Sequence, residues 1–110
     1  MKFQKFPIPD LLEMLPTRHG DERGYFTEVF RQCEFDQEAG PAVFVQENES
    51  LSARVGTIRG LHFQTDPHAQ GKLVRCTAGA IFDVAVDLRH GSPTYGKWAA
   101  VELSPAKGNL

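Results

Sequence analysis

The chain has 110 residues, of which 41% are hydrophobic and 24% charged, enough for one small domain with its own core and too few for a second. Its formal charge is −2 and its 12 Lys and Arg residues are scattered, so the basic footprint of a nucleic-acid binder is missing. The start, MKFQKFPIPDLLEML, lacks an apolar leader with a small-residue cleavage site, and nowhere do about 18 apolar residues run together, so a cytoplasmic chain without a membrane segment is expected.

The first punctuated stretch, RHGDERG at 18–24, reads as a loop, and the aromatic and β-branched run GYFTEVF at 24–30 reads as a strand. RQCEFDQEAG, 31–40, is the single helical candidate, one or two turns long because it ends at a Gly-Pro pair. Three further strands are expected at AVFVQENES (42–50), TIRGLHFQ (57–64) and GKLVRCTAG (71–79), with a turn at TDPHAQG between the last two. AIFDVAVDL, 80–88, gives the clearest period of two: Phe82, Val84, Val86 and Leu88 fall on one face, Ile81, Asp83, Ala85 and Asp87 on the other. After a Gly- and Pro-bearing loop, RHGSPTYG, the strand KWAAVEL closes the series at 97–103. Six short strands predict an all-β sandwich or barrel. Cys33 and Cys76 are far apart in sequence and form no CxxC pair, so both are read as reduced structural thiols.

Polar residues concentrate on the middle strands. On a period of two, Gln46, Asn48 and Ser50 share one face, a row of amides and a hydroxyl suited to a ligand with many hydroxyls, or else simply a solvated face. RGLHFQ sets His62 between two large apolar residues with Arg59 nearby. Burial and a neighbouring positive charge both disfavour protonation of an imidazole, which leaves a ring able to accept a proton. Lys72 adds a cation that could stabilise an enolate or a diphosphate, and Asp83 is a candidate to orient the ring. The competing reading is a metal, since small β-barrels often use an HxH pair; here Gln64 stands where the second histidine would be and no glutamate follows at ligand spacing, so no metal is expected. Arg23 and Glu28 flank Phe26 in a second charged set, which by itself reads as a salt-bridged edge strand.

Taken together and in this order, DERGYFTEVF, QENES, RGLHFQ, QGKLVR, DVAVDLR and SPTYGKW closely resemble the dTDP-4-dehydrorhamnose 3,5-epimerases, from about Pro7 to Ser104. The resemblance implies a single domain over 1–110, the N-terminal portion of a cupin-type jelly roll truncated on its C-terminal side, forming a homodimer and needing no cofactor or metal. It implies an isomerase acting on dTDP-4-dehydro-6-deoxyglucose, inverting the two carbons beside the ketone in deoxysugar and rhamnose biosynthesis. His62 matches the family's base and Lys72 the group that stabilises the enolate oxygen. Arg59, Gln46 and Asn48 match substrate-holding positions, and Arg23, Phe26 and Glu28 match an arm that contacts nucleotide in the neighbouring site. Neither Tyr25 nor Tyr95 matches the motif that supplies the family's opposite-face acid. Two other readings stay open: an epimerase of a single carbon, and a truncated homologue that binds the dTDP-sugar or dimerises without turnover.

Overall fold

Backbone donors and acceptors of an extended segment need a neighbouring strand, and the computed structural model, which describes residues 1–110, satisfies that need in three antiparallel pairs. β1 (Lys2–Lys5) lies against β2 (Leu12–Leu15), with Phe3 opposite Met14. β3 (Arg18–Asp21) lies against β4 (Gly24–Thr27), with His19 opposite Phe26. β5 (Ile81–Val86) lies against β6 (Trp98–Leu103), with Val84 opposite Ala100 and Ala85 opposite Ala99. One helix, α1 (Gln32–Ala39), separates β4 from the segment that follows and stops at Gly40, whose φ is +83°. No helix is long and apolar enough to cross a membrane.

The chain groups into two units: residues 1–41 together with 73–110, and residues 42–72. All secondary structure belongs to the first unit. Its core is small, with Ile8, Met14, Cys76, Leu103 and Leu110 buried. The tail contributes directly, because Met14 and Leu110 exchange both backbone bonds, 3.0 Å one way and 3.1 Å the other, as a strand pair would. Asn109 is buried and satisfied: its amide donates to Glu13 Oε1 and to the carbonyl of Glu102, and its Oδ1 accepts from Ser104 N–H. Gly108 makes this return possible. Its φ of +68° suits glycine, and a Cβ there would run into the Arg18 guanidinium, which donates to the carbonyls of Pro105 and Ala106.

Six strands form, but only three are the expected ones. β4, β5 and β6 fall within GYFTEVF, AIFDVAVDL and KWAAVEL, and α1 fills the helical stretch with just over two turns. The expected strands at 42–50, 57–64 and 71–79 do not form. Residues 42–72 join none of the three ladders; a turn bond runs from His68 N–H to Thr65 C=O. Several of their apolar side chains are in water, with Val43 86%, Leu61 72% and Phe63 70% exposed. Conversely, RHGD, read as loop, pairs as β3, and the short KFQK and LEML pair as β1 and β2. In LEML, Leu12 and Leu15 are three apart, a helical spacing, and pairing with β1 overrides it.

Candidate functional site

Two groups of side chains bear on chemistry, one in each unit. Within 42–72 the sequence places His62, Lys72, Arg59, Gln46 and Asn48, all exposed. Gln46 Nε2 donates to Asn48 Oδ1 at 3.1 Å, so these two are brought together on one side of the chain, as a period of two requires. Arg59 folds back instead: its Nε donates to Ser52 Oγ at 3.0 Å and its Nη2 to the Leu51 carbonyl at 2.9 Å. The guanidinium thus braces its own loop. The expectation of a buried His62 is corrected here. With no paired strand beneath RGLHFQ, the ring of His62 and the ammonium of Lys72 stand in water. Asp83 lies half-buried in β5, opposite Val101, in the other unit.

The second group lies where β3, β4 and the start of α1 meet. A cleft of about 310 Å³ is lined by Met1, Thr17, His19, Phe26, Glu28, Arg31 and Glu34, a volume at the lower end of small-ligand pockets. The β3–β4 pairing sets His19 across from Phe26, which is 72% exposed. Glu28 follows one residue beyond β4 and is gripped by Arg31 through a fork, with Nε 2.8 Å from Oε1 and Nη2 2.8 Å from Oε2. Arg31 also lies 3.5 Å from Glu34, whose other oxygen is 3.5 Å from the Met1 amino group. Of the sequence-derived set, Phe26 and Glu28 line this cleft. Arg23 does not; it sits in the turn between β3 and β4, its guanidinium 2.6 Å from Asp21 Oδ2, and that contact holds the Asp21 carboxyl below its usual range. His19, Arg31 and Glu34 were not picked out from sequence. The signal was there in the i, i+3 spacing of Glu28, Arg31 and Glu34, which brings opposite charges together where the chain turns into a helix.

A third polar centre is structural. Asp87, just after β5, is buried, and its carboxylate accepts from Arg89 Nε (2.9 Å) and Nη2 (3.0 Å), Ser92 Oγ (2.5 Å), Thr94 Oγ1 (2.6 Å) and the Arg89 backbone N–H (3.0 Å). Arg89, then Ser92 and Thr94, hold the Asp87 carboxyl far below the ordinary carboxylate range. Asp87, and after it Asp10, raise Arg89 above its own ordinary value. Since Arg89 also donates to Asp10 Oδ2 at 2.7 Å and to the Pro9 carbonyl at 2.9 Å, the centre ties the 87–94 loop to the β1–β2 turn. No group of three or more His, Cys, Asp or Glu side chains is arranged to hold a metal ion.

The model of the family described as dTDP-4-dehydrorhamnose 3,5-epimerase matches residues 5–110. A curated protein of that name from Sinorhizobium fredii is 58% identical over 108 residues, covering 98% of this chain and 55% of the relative. Among solved structures, the dTDP-4-dehydrorhamnose 3,5-epimerase of Bacillus anthracis with TDP and PPi bound superposes with a TM-score of 0.93 at 42% identity, over 98% of this chain and 62% of that one. The epimerase of Legionella pneumophila in complex with dTDP-4-keto-L-rhamnose superposes with a TM-score of 0.89 at 43% identity, over 98% of this chain and 57% of that one. The chain spans a little over half the length of the curated relatives it matches.

Proposed function

The chain belongs to the dTDP-4-dehydrorhamnose 3,5-epimerase family, and from that membership we propose that it serves as a sugar-nucleotide epimerase acting on dTDP-4-dehydro-6-deoxyglucose. What supports this reading above all is the close fit of nearly the whole chain to a family member crystallised with dTDP-4-keto-L-rhamnose. His62 takes the proton from the carbon beside the C4 ketone, and the C–H electrons pass into the enolate. Lys72 carries the charge developing on the enolate oxygen, and a proton returned from the opposite face inverts the centre. Repeating the step on the other side of the ketone inverts C3 and C5. Arg59, Gln46 and Asn48 hold the sugar and diphosphate, while Arg23, Phe26 and Glu28 reach the nucleotide of a neighbouring site in a homodimer. In this reading residues 1–110 are one domain of a cupin-type jelly roll, working in the cytoplasm without a cofactor.

A second reading is favoured by the exposure of His62 and Lys72. Proton abstraction beside a ketone gains from a site closed to water, so this chain by itself would bind dTDP-sugar, or dimerise, without turnover. The deciding experiment is deuterium incorporation from heavy water into dTDP-4-dehydro-6-deoxyglucose, followed by proton NMR for the wild-type chain and His62→Ala. The epimerase reading expects deuterium at the carbons beside the ketone with the wild type and none with the variant. Bound dTDP without exchange would decide for the second reading, and equal exchange in both chains would remove His62 from the role of base.

A further inference from the structure

We propose that Arg31 is a positioning residue that fixes the Glu28 carboxylate for contact with a nucleotide that is bound in the neighbouring site of the homodimer and reaches the cleft beside β4, an inference that rests on the assignment of Glu28 made above. The cleft holds two carboxylates, Glu28 and Glu34. A nucleoside diphosphate is itself an anion, so an open cleft with two negative groups would repel it. Arg31 lies between them and is paired with both, closely to Glu28 and at 3.5 Å to Glu34. With the Met1 amino group, 3.5 Å from the other oxygen of Glu34, it offsets that repulsion, and it is the cation that holds Glu28.

The fork has a second consequence. An exposed glutamate has several rotamers of similar energy, whereas two parallel N–H···O bonds from a planar guanidinium fix both the direction and the plane of the carboxylate. Each oxygen still has a free lone pair after accepting one bond. Glu28 can therefore accept from an imide N–H or a hydroxyl of the ligand while Arg31 keeps hold of it. The exposed ring of Phe26 lines the same cleft and offers a face on which a base can stack. Arg31 reaches Glu28 from an extended backbone, φ −141° and ψ 119°, immediately before α1. From there its guanidinium meets Glu28, just after β4, and Glu34 in the first turn of α1.

Lysine in place of Arg31 would keep the charge and lose the fork; glutamine would lose both. The test is calorimetric titration of the 110-residue chain with dTDP, for the wild type, Arg31→Lys, Arg31→Gln, Glu28→Gln and the double variant Glu28→Gln/Arg31→Gln, with thermal melting of each as the control for folding. Arg31→Gln is expected to weaken dTDP binding about tenfold with an unchanged melting midpoint, and Arg31→Lys to fall between it and the wild type. The double variant is expected to bind no more weakly than Glu28→Gln alone, because Arg31 acts through Glu28. Full wild-type affinity in Arg31→Gln, or losses that add in the double variant, would overturn the inference while leaving the nucleotide reading intact. A wild-type chain that takes no dTDP, or one whose affinity Glu28→Gln leaves unchanged, would overturn the assignment of Glu28 and the inference with it.

Discussion

β5 and the segment 57–64 carry the same kind of sequence and meet different ends. In β5, IFDVAV alternates in a period of two and finds β6 alongside, with apolar residues facing one another across the pair at Val84–Ala100 and Ala85–Ala99. TIRGLHFQ is also rich in large apolar residues, with Leu61 and Phe63 two apart and Ile58 out of phase with them, yet all three are in water and the segment joins none of the ladders. Strand-favouring composition therefore states a preference for pairing, and a partner decides whether it is met. The unit of 1–41 and 73–110 is held by paired strands, a buried tail and a satisfied polar centre. The unit of 42–72 holds the candidate base and its neighbours without any of these supports.

Core truncation should separate the two units most sharply. Met14 is 2% and Leu103 1% exposed, so replacing either with alanine is expected to cost about 2 to 5 kcal/mol in urea unfolding. Val43→Ala and Leu61→Ala, in the exposed unit, are expected to stay within about 0.5 kcal/mol of the wild type. Comparable losses at all four positions would mean that 42–72 is packed in solution and would break the distinction.

Asp87 sharpens it through pH. Its carboxyl is depressed in the folded chain, chiefly by Arg89 and then by Ser92 and Thr94, so the stability it contributes is fully present above the unfolded-state value of about 3.9 and is lost as pH falls toward the folded value. Thermal midpoints of the wild type should drop steadily as pH is lowered from about 4. Asp87→Asn should start lower at neutral pH and respond less to acid. An identical acid slope in both chains would show that the centre does not control this unit.

A smaller effect is expected at the tail. Arg18 donates to the Pro105 and Ala106 carbonyls and stacks its guanidinium 4.4 Å from the Tyr25 ring centre. Arg18→Ala should cost about 1 kcal/mol and hasten exchange of the Leu110 amide, which bonds to Met14, while leaving exchange within 42–72 unchanged.

Parts of this were legible in the sequence for identifiable reasons. IFDVAV and WAAVEL are long enough, and rich enough in β-branched and aromatic residues, to declare themselves, and the Gly40-Pro41 pair marks the end of α1. KFQK and LEML were missed because four residues give too little periodicity, and their pairing depends on the turn between them and on the returning tail. The site divided in the same way. Phe26 and Glu28 came out of a compact motif, and both line the cleft. His19 joins them only through the hairpin register, which local sequence does not display, while Arg31 and Glu34 are legible in the i, i+3 spacing of charges from Glu28 once a helix start is placed there. Asp87 was noted only as a residue on one strand face; the donors that hold it, Arg89, Ser92 and Thr94, come from a loop whose closure depends on that carboxylate.

The most direct test of the division is amide hydrogen exchange on the 110-residue chain, compared between β5–β6 and residues 42–72. The amides of Asp83, Ala85, Ala99 and Val101 should be protected, and those of Gln46, Asn48, Arg59 and His62 should exchange at close to unfolded rates. Protection at His62 and its neighbours equal to that of β5 would contradict this account, because it would mean that the segment carrying the candidate base has found a ladder partner.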